Sequence, residues 1–290
     1  MPPPASTPSA RYDEPYERER RPQRARGLDL EQAAPFREWA WMDSYLRSPD
    51  PTSTANPPKP RFAQGDHVAI IGPTGVGKTH IAFSFAEMRA HSIVIACKPD
   101  DPLIDDATRR GYWLVPTDEL EIPYVDGKPL HNRVVYWPRL SKRQRSKLPP
   151  DLLLRAERTH QRPRVAGALG YVRNEKYWCV VLDEGTWVCR DLSLQRDVDS
   201  ALFQFRSLDA SMVILGQRPS WMGQYVMSQP THFVLFQSSH TADLKSLGDI
   251  SGVDTRLVQD IVRGLDFDRH EALYLNTRRR EMFRTIAPPR

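Results

Sequence analysis

The chain has 290 residues, of which 40% are apolar and 27% charged, so it can bury a core and is neither fibrous nor wholly disordered. Its 41 basic against 36 acidic residues leave a net charge of +5, compatible with a polyanionic partner without requiring one. No run approaches the roughly 18 to 20 apolar residues of a membrane span, and the N-terminus has no apolar signal stretch, so a soluble, cytoplasmic protein is expected.

Twelve of the 26 prolines fall in the first 60 residues, beside a mixed-charge block over 11–26. Residues 1–60 therefore read as a Pro-rich, largely disordered tail, with 49–60 as a linker. Within the tail, Phe36, Trp39, Trp41, Met42, Tyr45 and Leu46 recur at partly helical spacing. They predict a short aromatic helix that docks on its own domain or on a neighbouring subunit. From Phe62 onward, short apolar runs alternate with helical segments, the pattern of an α/β domain over 61–290 with a parallel sheet. Strands are predicted at 67–71, 92–97, 133–137, 178–182, 211–215 and 232–236, and helices at 78–89, 193–208, 242–247 and 254–264. The alternation at 271–276 and 281–286 predicts a C-terminal hairpin turning through 277–280. Cys97, Cys179 and Cys189 have no metal-ligand spacing and read as core residues.

Directly after the first strand comes Gly72-Pro73-Thr74-Gly75-Val76-Gly77-Lys78-Thr79, opening the 78–89 helix. This is G-x-x-x-x-G-K-[ST] in the strand, loop, helix setting that the pattern requires. The glycines let successive N–H groups curl toward phosphate oxygens, and the helix N-terminus adds its partial positive charge. ATP is the expected ligand. Lys78 reaches its β- and γ-phosphates, and the Thr79 hydroxyl ligates Mg2+. Pro73 lacks an N–H but stands at the start of the loop, where no phosphate contact is demanded.

About a hundred residues on, the 178–182 strand ends in Asp183-Glu184. Asp183 is expected beside the phosphate loop as the second Mg2+ residue, and Glu184 as the group that polarises the attacking water. The 211–215 strand runs into Gly216-Gln217-Arg218-Pro219-Ser220. An amide at Gln217 can hydrogen-bond both the lytic water and the γ-phosphate, which makes it a candidate nucleotide sensor.

The succession GPTGVGKT, VVLDEG and FRSLDASMVILGQRPS resembles the core of the FtsK/HerA superfamily of DNA-pumping ATPases. The similarity spans about 62–286 and is strong at those three motifs. Gly216 replaces the threonine usual there, which keeps the sensor amide and removes a hydroxyl. KPDDPLID after the second strand resembles the family's D-x-K region only loosely. The resemblance implies a RecA-like, ASCE-type P-loop NTPase that hydrolyses ATP with Mg2+ in a homo-oligomeric ring and moves DNA. The family's accessory DNA-orienting modules have no counterpart, which fits a stripped-down motor of a phage or mobile element. It also implies an arginine finger completing a neighbour's site, for which Arg206 and Arg218 are the candidates. Either can instead be a structural ion-pair partner.

Residues 139–164 hold nine Lys or Arg and two acids, a local +7 that exceeds the charge of the whole chain. This insertion reads as a positively charged loop that grips DNA phosphates without reading sequence, or as a solvated mobile loop. Two other readings stand against a DNA pump. GPTGVGKTHIA also resembles the phosphate loop of AAA+ helicase loaders and transposition helpers, although those carry Asn or Thr at the sensor and a shorter spacing between motifs. A nucleotide-dependent assembly protein without a motor role is the second.

Overall fold

The computed structural model describes residues 29–98, 100–250 and 252–288. The chain opens with α1 (Leu30–Ala33) and α2 (Trp39–Arg47), then β1 (Val68–Ile71), α3 (Lys78–Glu87), β2 (His91–Ile95), α4 (Pro102–Arg109) and β3 (Trp113–Leu114). A small ribbon of β4 (Tyr124–Val125) and β5 (Lys128–Pro129) leads to β6 (Arg133–Tyr136), α5 (Lys142–Arg145), α6 (Pro150–Glu175) and β7 (Trp178–Leu182). Then come α7 (Gln195–Gln204), β8 (Ser211–Gly216), α8 (Gln224–Ser228), β9 (His232–Phe236), α9 (Thr241–Ser246), α10 (Thr255–Gly264), β10 (Glu271–Asn276) and β11 (Glu281–Ile286).

Nine of the described strands form one sheet in the order β11-β10-β9-β1-β8-β7-β2-β6-β3. The run from β9 to β3 is parallel, and β10 and β11 add an antiparallel hairpin at one end. β1, β7, β8 and β9 are buried along their whole lengths, as strands covered on both faces must be. Their side chains alternate between two apolar layers. Val68 and Ile70 of β1 face Met42, Leu46, Ile81, Phe85 and Leu103 of α2, α3 and α4. Ala69 and Ile71 face the layer holding Val165, Val198, Val258 and Ile261 of α6, α7 and α10. All three cysteines are free and buried, and among the described residues no helix is long and apolar enough to cross a membrane.

The basic insertion differs from the loop expected of it. Residues 142–145 form α5, capped by Ser141 and Gln144 in a reciprocal box, and from Pro150 the chain runs as a 26-residue helix. Glu157, Gln161, Val165, Ala168, Leu169 and Val172 make one buried stripe along α6. Pro163 sits on its exposed side, where the lost backbone donor is offset by packing of that stripe.

Of the segment expected as tail and linker, residues 34–50 pack on the domain's own sheet, docking on its own domain being one of the two outcomes expected for the aromatic helix, while most of 51–60 is exposed. Trp39, Met42 and Leu46 of α2 are buried. Just before α2 the chain runs alongside β11, with Arg37 N donating to Arg284 O at 2.8 Å and Arg284 N to Pro35 O at 3.1 Å. The Arg284 guanidinium also binds Glu271 and Glu31. Pro49 bridges Pro60, and Asp50 pairs with Arg279 in the hairpin turn. The mixed-charge block over 11–26 lies outside the described residues.

Candidate nucleotide site

Parallel strands leave one edge of the sheet where β1, β7, β8 and β2 all end, and the motifs converge there. After Ile71 the chain turns through 72–77 into α3. Gly75 and Gly77 have φ of 89° and 93°, a left-handed conformation that side chains other than glycine's rarely adopt. Val76 between them is buried in the core, while Thr74 and Gly75 form an exposed apex. The Lys78 ammonium donates to the carbonyls of Gly72 and Pro73 at 2.7 and 2.6 Å. Burial pulls its pKa down to about 8 against the opposing pull of Asp183 and Glu184.

Asp183 follows β7, two strands from β1, and the Thr79 hydroxyl donates to its Oδ1 at 2.9 Å. The two residues expected to share a cation are therefore in contact. Burial of the Asp183 carboxyl is the main cause that lifts its pKa to about 6, with Lys98 pulling it down. β8 lies between β1 and β7, and Ile71 pairs with Gly216, so Gln217 stands level with the start of the phosphate loop. Its side chain is half-buried and makes no hydrogen bond to the described residues.

Lys98 completes the cluster and was not among the sequence-based candidates. It follows β2, the strand on the far side of β7, and its ammonium forms an ion pair with Glu184 and lies 3.8 Å from Asp183 Oδ2. Burial works against that charge. The hydrogen bond to Glu184 and the charges of Glu184, Asp183 and Asp101 outweigh it and hold Lys98 above the ordinary lysine range. The sequence signals were a lysine at the end of an apolar strand and its place at the head of KPDDPLID, the stretch with only a loose likeness to the D-x-K region; its pairing with Glu184 depends on strand order, which is not written locally. Asp101, three residues on, caps α4 through Leu103 N at 3.2 Å and is itself buried.

The two arginines separate. Arg218 stays at the same edge as Gln217, but its Nε donates to both carboxylate oxygens of Asp243 at 3.0 and 3.3 Å. Asp243 also accepts from Ser220 N, Ser220 Oγ and Ser238 Oγ, tying the loop after β8 to α9. Arg206 precedes β8, at the opposite edge of the sheet from its own phosphate loop. It is exposed, bonds only to the backbone carbonyl of Gln229 at 2.8 Å, and forms no ion pair with the described residues. Gly216 also has a local cause: a Cβ there would stand 2.5 Å from Met222 Sδ, so Met222 occupies the space a threonine would need.

No protein-family model and no curated protein matches the chain. Solved structures share its fold. The genome packaging NTPase B204 from Sulfolobus turreted icosahedral virus 2, in complex with sulfate, is 11% identical over 77% of this chain and 97% of that one, with a TM-score of 0.52. The same protein in complex with AMP is 13% identical over 78% and 98%, with a TM-score of 0.51. The chain thus has the α/β P-loop NTPase fold expected from its motifs.

Proposed function

We propose that the protein is a Mg2+-dependent ATPase of the FtsK/HerA type that works in a homo-oligomeric ring and moves DNA. The observation that carries this reading is the contact of Thr79 with Asp183, flanked by Glu184 on one strand end and Gln217 on the next. The likeness in fold to a viral genome packaging NTPase supports the choice of DNA as cargo.

The residues divide the work. Gly72 to Gly77 turn their backbone toward phosphate oxygens, and Lys78 transfers its ammonium from the loop carbonyls to the β- and γ-phosphates. Thr79 and Asp183 are both hard oxygen donors suited to Mg2+, and among the described residues no cluster of three metal-ligating side chains exists. They would hold the ion with the nucleotide's phosphates filling its shell, where it supplies neutralisation of developing charge. Glu184 accepts a proton from the water that attacks the γ-phosphorus as the bond to the ADP oxygen breaks, and Gln217 orients that water. Lys98 must release Glu184 for this, since an ion-paired carboxylate is a weaker base. Arg206 is assigned the role in trans, being exposed and unneutralised, whereas Arg218 is held by Asp243. Exposed cations of α5 and α6 grip the phosphate backbone of DNA.

Fluorescent-nucleotide titration and phosphate release test the site. Lys78→Ala is expected to lose nucleotide binding. Glu184→Gln is expected to bind ATP as wild type does and to turn over at least about a hundredfold more slowly. Unchanged binding in the first, or turnover within a factor of about two in the second, refutes the roles assigned.

A further inference from the structure

One side chain joins the basic helix to the ion pair at the candidate base. Gln161 lies in the buried stripe of α6, 2% exposed, and both ends of its amide are used. Nε2 donates to the Cys97 carbonyl at 2.9 Å, and Oε1 accepts from the Trp187 indole N–H at 2.8 Å. The Cys97 carbonyl belongs to the peptide unit that continues into Lys98. Trp187 stands one helical turn after Glu184, on a turn closed by Val188 N donating to the Glu184 carbonyl at 3.0 Å. Gln161 therefore braces the two backbone segments from which Lys98 and Glu184 reach each other.

One turn earlier on the same helix, Arg158 touches the same element. Its guanidinium pairs with Asp191 and lies 5.3 Å from the centre of the Trp187 ring. Unlike Gln161, the Arg158 side chain is 42% exposed, within reach of a phosphate from solvent. A polyanion that draws Arg158 from Asp191 would act directly on the turn that Gln161 holds.

We propose that Gln161 is a positioning residue that transmits occupancy of the basic helix by DNA to the Lys98–Glu184 pair, and so sets how far DNA accelerates hydrolysis. This rests on the function proposed above. A small shift of α6 perturbs both hydrogen bonds together, because donor and acceptor belong to one planar amide. The Lys98 and Glu184 segments then move relative to each other, and the carboxylate is released to accept a proton. A neutral, doubly satisfied amide suits this task. It is rigid while both bonds hold, and a leucine of similar size would keep the packing and lose the link.

The test is ATP turnover of Gln161→Leu with and without linear duplex DNA, together with duplex affinity by fluorescence anisotropy and a thermal melt to establish folding. The expected result is wild-type duplex affinity with stimulation reduced about five- to hundredfold, the range set by loss of a buried hydrogen bond. A folded Gln161→Leu that is stimulated like wild type overturns the coupling and leaves the proposed function standing. Wild-type turnover that duplex leaves unchanged overturns the DNA-pump reading, and the coupling with it. Should the leucine variant fail to fold, Trp187→Phe keeps a ring and removes only the indole donor. It is expected to lower stimulation likewise, and undiminished stimulation there also overturns the coupling. The double variant should be no worse than the poorer single one; additive losses would mean that the two side chains act separately.

Discussion

Asp183→Asn separates what this carboxylate does for a nucleotide from what it costs the fold. Burial above all holds the Asp183 carboxyl at about 6, against 3.8 for an ordinary aspartate. Between those two values the folded chain binds a proton that the unfolded chain has released, so stability rises as pH falls through about 6. Above it, ionised Asp183 is a standing cost. At 1.36 kcal/mol per pH unit, the difference amounts to about 3 kcal/mol near pH 7.5. Asparagine imitates the neutral carboxyl and can still accept the Thr79 hydroxyl. The variant is therefore expected to be more stable than wild type by about 2 to 3 kcal/mol, or about 5–10 °C in melting midpoint. At pH 5 wild type has recovered its proton, and the gap should narrow to about half. Thermal unfolding of both forms at the two pH values, without nucleotide, measures this directly. Repeated with ATP and Mg2+, the midpoint of wild type should rise and that of the variant should stay. A variant less stable than wild type at pH 7.5, or a gap indifferent to pH, would refute the argument that burial governs Asp183.

Replacing Lys142, Arg143 and Lys147 of the α5 region together by Ala should weaken duplex binding for every sequence alike. The slope of log affinity against log salt is expected to fall by roughly 0.9 for each phosphate no longer gripped, with basal hydrolysis retained; an unchanged slope would leave these exposed cations without a role on DNA. Arg145 is left in place because its guanidinium lies against buried Glu157. Gly216→Thr should cost about 1–3 kcal/mol in a urea melt, because its side chain must displace Met222. Adding Met222→Ala should return most of that loss, and failure to do so would mean that the strain lies elsewhere.

What could be read along the chain was whatever is encoded over a few consecutive residues. The strands 178–182 and 232–236 and the hairpin 271–286 coincide with β7, β9 and the β10–β11 pair, because an unbroken apolar run or a clean alternation needs no distant partner to be recognised. The phosphate loop is likewise local. Lys98 was legible only as the head of KPDDPLID, and not as a partner of Glu184, since that role comes from β2 lying beside β7, a neighbour relation between residues 87 positions apart. α6 was hidden by its arginines and Pro163, although 157, 161, 165, 168, 169 and 172 carry the spacing of a buried helical face. α4 offered a signal that went unused: Asp101 followed by Pro102 is an N-cap with proline in the first turn. In 29–48 the helical spacing of the aromatic and apolar residues was the better guide than the proline content, since Trp39, Met42 and Leu46 dock this segment on the domain.

The strand-like contact of residues 35–37 with β11 covers the middle of one border of this sheet. A bare outer strand offers unpaired N–H and C=O groups to any other chain, and here the segment before α2 takes up both the N–H and the carbonyl of Arg284. The same segment is anchored at its other end by Tyr45 on Glu281 and Asp50 on Arg279. A chain cut at residue 60, where composition invites the cut, would thus lose a selvedge as well as a tail. Its last strand would be left open to pairing, and half-buried Phe283, which stacks on buried Tyr274, would lose the aromatic cover of Trp41 and Tyr45.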